Sequence, residues 1–134
     1  MLRVFLDANV LFSAAYREGA GLVALWERSD VQLLTSGYAA EEARRNLDTD
    51  ERRSRLERLL KGVRVESEAP NEPLPPEVRL PPNDEPILRA AVAARATHLL
   101  TGDLRDFGHL MGRRVAGLKV QTPGEFLRSS RKAK

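Results

Sequence analysis

Apolar positions along the chain alternate between two periods. Leu2 to Leu6 form a short, nearly continuous apolar run that predicts a strand, and after Asp7-Ala8-Asn9 a mostly apolar segment to Tyr16 predicts a helix. Glycines at 19 and 21 interrupt it before Leu22, Val23, Leu25 and Trp26 form a second helical stripe. Val31 to Thr35 predicts a second strand, Ser36 an N-cap for a helix through Leu47, and Asp50 to Leu60 a third helix that Gly62 stops. Val63-Arg64-Val65 reads as a third strand. The proline-rich, acidic segment 69–82 reads as a loop and not a core element. A helix then begins at Asn83 or Asp84, tolerates Pro86 in its first turn, and feeds a strand over Thr97–Leu100. Leu118-Lys119-Val120 gives the last strand, and Thr122 to Leu127 starts a terminal helix. Strands alternating with helices predict an α/β fold with a mainly parallel sheet covered on both faces.

The 134 residues fit one domain, expected over 1–128, with a basic, unstructured tail over 129–134. The absence of cysteine excludes a disulfide framework, a thiolate nucleophile and cysteine-ligated zinc. No signal-peptide pattern opens the chain and no apolar run nears the ~20 residues that span a bilayer. A cytoplasmic protein with no membrane partner is expected. The net charge of +3 is uneven: residues 63–86 carry two Arg and six acidic residues, whereas 87–134 carry ten Lys or Arg and three acidic residues. That distribution suits either an enzyme acting on a phosphodiester polymer or a solvated surface.

Two predicted strands discharge into acidic residues, Val4-Phe5-Leu6 into Asp7 and Leu99-Leu100 into Thr101-Gly102-Asp103, with Asp106 three residues on. Open parallel sheets place ligands beyond the carboxyl ends of their strands, near a switch in strand order. Asp7 and Asp103 meet on that rim if their strands are neighbours. Asp84 starts the helix feeding the second strand, and Glu41 and Glu42 lie in the helix after Ser36, so both groups reach the same crevice. Gathered carboxylates raise one another's proton affinity unless a cation compensates them. All-oxygen ligands suit Mg²⁺ or Mn²⁺, and the chemistry that follows is phosphodiester hydrolysis. Each acid also has a structural reading: Asp7 and Asp84 as helix caps, Glu41 and Glu42 as first-turn acids favouring the helix dipole, Asp103 as a turn residue and Asp106 as a turn or cap residue. Arg105, Arg113, Arg114 and Lys119, in the basic half, are the expected phosphate contacts.

The ordered set Phe5-Leu6-Asp7-Ala8-Asn9-Val10-Leu11, Thr35-Ser36-Gly37-Tyr38 leading to Glu41-Glu42-Ala43, Asn83-Asp84-Glu85-Pro86-Ile87-Leu88, Leu99-Leu100-Thr101-Gly102-Asp103 and Thr122-Pro123-Gly124-Glu125-Phe126-Leu127 resembles a PIN domain over nearly the whole chain. It resembles in particular the compact prokaryotic members, including the toxins of toxin–antitoxin pairs. The resemblance implies a three-layer α/β/α fold with a five-stranded parallel sheet in the order 3-2-1-4-5, and a metal-dependent ribonuclease. It assigns Asp7, Asp84, Asp103 and Glu42 to the catalytic set, Glu42 being preferred to Glu41 because Ala43 follows it. Asp7, Asp103 and Asp84 are the expected ligands of Mg²⁺ or Mn²⁺, Glu42 holds or deprotonates the attacking water, and Asp106 supports a second, weaker ion. Asn9 would hydrogen-bond a ligating carboxylate, and Thr101 would contact phosphate or brace the Asp103 turn. Ala8 stands where relatives usually carry Thr, so a hydroxyl is missing. RNA, a cognate antitoxin and a second copy of the chain, joined through the early helices, are the implied partners. The alternatives are a noncatalytic RNA-binding or protein-interaction module and an RNA-processing nuclease without a toxin role. A receiver domain would need a Lys after a late strand, and a Rossmann-type binder a glycine-rich turn after the first strand; neither is found.

Overall fold

The computed structural model describes residues 1–129. Its single sheet contains β1 (Leu2–Leu6), β2 (Val31–Ser36), β3 (Arg64–Glu66), β4 (His98–Leu100), β5 (Arg114–Val115) and β6 (Leu118–Gln121), in the order β3-β2-β1-β4-β6-β5. All pairs are parallel except β5 with β6. The helices are α1 (Ala8–Tyr16), α2 (Gly37–Asn46), α3 (Asp50–Leu60), α4 (Glu85–Ala93), α5 (Leu104–Phe107) and α6 (Pro123–Ser129). They cover both sheet faces, which explains why the strands read as continuous apolar runs: Val4, Phe5 and Leu6 are all fully buried, as are Leu99 and Leu100. No helix among the described residues is long and apolar enough to cross a membrane.

Local chemistry sets most boundaries. Ser36 Oγ accepts from Ala39 N–H at 3.1 Å to cap α2, and Thr49 Oγ1 does the same for Arg52 N–H in α3. Thr122 and Glu125 form a reciprocal capping box at α6: Thr122 Oγ1 accepts from Glu125 N–H, and Glu125 Oε1 from Thr122 N–H. That helix extends to Ser129, so the tail expected from 129 begins no earlier than 130; residues 130–134 lie outside the described residues. The loop 69–82 has no strand or helix, yet Leu74, Val78 and Leu80 pack against the core and His109 Nε2 accepts from Arg79 N–H.

Three expectations need correction. The sheet is mainly parallel as expected, but it has six strands and not five in the order 3-2-1-4-5, because a two-residue antiparallel edge strand, β5, pairs with β6. Its turn, Ala116-Gly117, has positive φ at both positions (49° and 91°), as the tight turns joining right-twisted strands require. The Leu22–Trp26 stripe is a 3₁₀ segment, Gly21–Glu27, in which Leu22 and Leu25 eclipse one another at the three-residue repeat. A short helix, α5, occupies the stretch after Asp103, to which the sequence pattern assigns no element.

The sheet order switches at the centre. From β1 the chain moves outward through β2 and β3, then returns to lay β4 on the other side of β1. Leu6 pairs with Leu100, and the ladder continues one step as Asp7 N–H donates to Leu100 C=O at 3.1 Å. Asp7 and Thr101 therefore sit side by side at the switch point, where such sheets bind ligands.

Ala116 holds a left-handed conformation that its Cβ disfavours by roughly 1–2 kcal/mol. Replacing Ala116 with Gly should raise unfolding free energy by about 1 kcal/mol in urea denaturation. A loss of stability would mean that this hairpin is not formed as described.

Candidate metal centre

Burial fixes the first ligand candidate. Asp7 follows the last residue of β1 directly and is 4% exposed. Its Oδ1 accepts from Ala8 N–H at 2.6 Å, while Oδ2 accepts from Thr101 Oγ1 at 2.7 Å and from Asn9 Nδ2 at 3.1 Å. Burial is the chief reason that its pKa rises to about 6; the bonds from Thr101 and Ala8 oppose the rise, and the charges of Glu42 and Asp103 add to it. Asp7 thus caps α1 and also faces a cleft, so the two readings of this residue hold together.

Thr101 is the hub of the rim. Fully buried, it donates to Asp7 and accepts from Asn9 Nδ2 at 3.2 Å and from Asp103 N–H at 3.0 Å, which exhausts a hydroxyl's capacity. Asn9 completes the frame by accepting Gly102 N–H on its Oδ1 at 2.8 Å. These bonds tie the segment after β4 to the start of α1, and they fix where Asp103 emerges. Asp103 in turn accepts Asp106 N–H on Oδ1 at 3.1 Å and caps α5.

Asp84 arrives from the loop before α4. It occupies the N-cap position, but its side chain makes no capping bond; Pro86 and Glu85 occupy the first turn. The capping account of Asp84 therefore fails. Its Oδ2 is buried without a hydrogen-bond partner. Asp84, Asp103 and Asp106 each offer an oxygen within 4.8 Å of the other two. Burial pushes the Asp84 carboxyl well above the usual carboxylate range, with Asp106 next in effect and Asp7 and Asp103 behind it. Protonated, Asp84 can donate to Asp106; with both ionised, they repel.

The cleft, of about 280 Å³, is lined by Asp7, Ala8, Asn9, Phe12, Glu42, Asn46, Asp84 and Asp103. Glu42 lines it and Glu41 does not: Glu41 is exposed and paired with Arg44 at 2.7 Å. Neither acid is in the first turn of α2, which starts at Gly37, so the helix-dipole reading fails for both. Asn46, one turn beyond Glu42, is a cleft residue that the sequence reading passed over, although the four-residue spacing places it on the same helix face. Asp106, expected to support a second, weaker ion, lies in one close group with Asp84 and Asp103.

The basic residues are elsewhere. Arg105 is exposed on α5, Arg113 is exposed just before β5, and Arg114 and Lys119 are cross-strand partners on β5 and β6; none lines the cleft. Among the described residues, no ion pair within 4 Å reaches Asp7, Glu42, Asp84, Asp103 or Asp106. Five acids thus converge without a protein cation. Their donor set is all oxygen, and the unpartnered Asp84 Oδ2 is an acceptor in want of a positive partner, so the site fits a hard divalent cation.

Comparison with known proteins bears on the family and the fold. A family model described as PIN domain matches residues 3–105. The fold is similar to that of a chain in the structure of VapBC2 from Rickettsia felis bound to a DNA fragment from their promoter. The TM-score is 0.63 at 15% identity, over 90% of this chain and 98% of that one. It is also similar to a chain of VapBC-1 from nontypeable Haemophilus influenzae, with a TM-score of 0.57 at 17% identity over 92% and 99% of the two chains. Identities this low bear on the fold alone. No curated protein sequence matches the chain.

The raised Asp7 pKa has a signed consequence for stability. The folded carboxyl holds its proton more tightly than the unfolded one at 3.8, so without metal the folded state loses stability as pH rises from about 4 to above 6. Asp7→Asn should flatten that part of the profile, removing a wild-type loss of about 2–3 kcal/mol between pH 4 and pH 7.5 in chelator. Parallel stability profiles for the two proteins would contradict the assignment.

Proposed function

The chain belongs to the PIN domain family, and from that premise we propose that it is a Mg²⁺- or Mn²⁺-dependent ribonuclease that hydrolyses RNA phosphodiester bonds. The observation that carries the proposal is the buried, unpartnered oxygen of Asp84 beside Asp103 and Asp106. A noncatalytic scaffold would have no need of such a cost.

In this reading Asp7, Asp84 and Asp103 hold the cation, with Asp106 adjoining. When bound, it supplies positive charge against the phosphate and makes nearby water more acidic. Thr101 and Asn9 keep the Asp7 carboxylate in place by donating to Oδ2. Glu42, set across the cleft on α2, orients the attacking water and accepts its proton. Asn46 offers an amide to the phosphate or ribose from one turn further along. Arg105, nearest in sequence to the acids, and the Arg113, Arg114 and Lys119 group at the sheet edge would track the RNA backbone away from the cut.

A toxin role, with a neighbouring antitoxin and a homodimeric state, extends this reading. It is supported by the likeness in fold to chains of VapBC2 and VapBC-1. An RNA-processing nuclease would have the same site.

Purified protein with Mn²⁺ should cleave RNA, and Asp103→Asn should lower the rate at least about 100-fold while leaving the circular dichroism spectrum unchanged. In cells, expression of the wild type should arrest growth and that of Asp103→Asn should not. Equal cleavage by both proteins would overturn the nuclease reading; cleavage without growth arrest would overturn only the toxin role.

A further inference from the structure

Beside the acidic cleft lies a second depression of about 280 Å³ with a different character. Tyr38, Pro70, Pro82 and Pro86 give it mainly apolar walls, and Glu68, Glu85 and Arg89 supply its charged groups. Two elements join it to the cleft. On α2, Tyr38 precedes Glu42 by one turn, so one helix face runs from this depression into the site. At the start of α4, Glu85 lines the depression while its neighbour Asp84 lines the cleft. Tyr38 Oη donates to Asn83 C=O at 2.8 Å, which ties the helix to the segment carrying both acids.

The charges select among occupants. Arg89 is already engaged, donating to Glu72 C=O and pairing with Glu85 at 3.3 Å. Glu68 Oε2 accepts Tyr38 N–H at 2.8 Å, which holds a carboxylate at the rim. A phosphate would meet two carboxylates and no free cation. A neutral, flat ring would meet an aromatic wall, proline faces and hydrogen-bond acceptors, and unpaired bases are bound through such surfaces.

We propose that this depression is a nucleobase subsite, in which Tyr38 stacks an unpaired base of the RNA next to the phosphate held in the acidic cleft. The inference rests on the nuclease reading and adds a substrate requirement to it: the strand must be single at this position, with a base present. Glu68 and Glu85, as acceptors, favour bases that offer an N–H edge.

The test uses the full-length protein, Mn²⁺ and a single-stranded RNA oligonucleotide with one cleavage site. A single abasic residue is moved through the positions around that site, for the wild type, Tyr38→Phe and Tyr38→Ala. With the wild type, loss of the base at one position adjoining the cut should lower kcat/KM by about 10- to 100-fold. Tyr38→Ala should cut the intact oligonucleotide with a similar deficit and be indifferent to the abasic residue, whereas Tyr38→Phe, which keeps the ring, should remain sensitive. Cleavage by the wild type that ignores every abasic position assigns the depression to another occupant and overturns the subsite, as do Tyr38→Ala and abasic losses that multiply. Absence of cleavage by the wild type would instead overturn the nuclease reading beneath it. The wild-type abasic scan needs no substitution, so it decides the matter even if Tyr38→Ala fails to fold.

Discussion

The pairing of Leu6 with Leu100 is the constraint on which the site depends. Two parallel strands, adjacent in the sheet but more than ninety residues apart in the chain, end at the same level, and the next residue of each is polar: Asp7 and Thr101. Asp7 is buried there because the strands that place it are themselves covered on both faces. Thr101 partly offsets the cost of burying a carboxylate by donating to it, and with its remaining capacity fixes Asp103 N–H and Asn9. One hydroxyl thereby locks the geometry of two acids that local sequence cannot bring together.

The remaining acids are delivered by segments that could have spared themselves the repulsion. Asp84 sits at a helix N-cap where a capping bond was available, yet it leaves one oxygen buried and unpartnered. Arg44, the nearest helix cation to Glu41 and Glu42 in sequence, is taken up by Glu41 and Glu57 and leaves Glu42 without an ion pair. The buried Asp7 carboxyl and the unpartnered Asp84 oxygen belong to residues lining the same cleft, as expected where stability is given up for binding. A cation held by Asp84, Asp103 and Asp106 would offset the repulsion among these three.

The framework was legible because its signals are local. Asp7 and Asp103 follow apolar runs, Ser36 and Pro86 mark helix starts, and the order of these segments resembles one family. What could not be read depends on conformation without a residue signature. The sixth strand turns on Ala116 in a left-handed conformation, where Asn or Gly would have announced a hairpin. The preference for Glu42 over Glu41 comes from the resemblance; the helix phase that puts Glu42 and not Glu41 in the cleft lining has no local signature. Asp106 looked peripheral because α5, which turns it back towards Asp84, is a single turn with no periodic pattern. Proximity in sequence to Asp103 does not put Arg113, Arg114 or Lys119 in the cleft lining.

The central claim is that these acids form one site for a divalent cation. Calorimetric titration of Mn²⁺ into the wild type and Asp84→Asn near pH 6.5, in two buffers of different ionisation enthalpy, tests it most directly. The account predicts one tight site in the wild type whose binding releases protons, because the carboxyls of Asp7 and Asp84 hold theirs unusually strongly, and much weaker binding to the variant. Equal affinity in the two proteins, or binding without proton release, would contradict it.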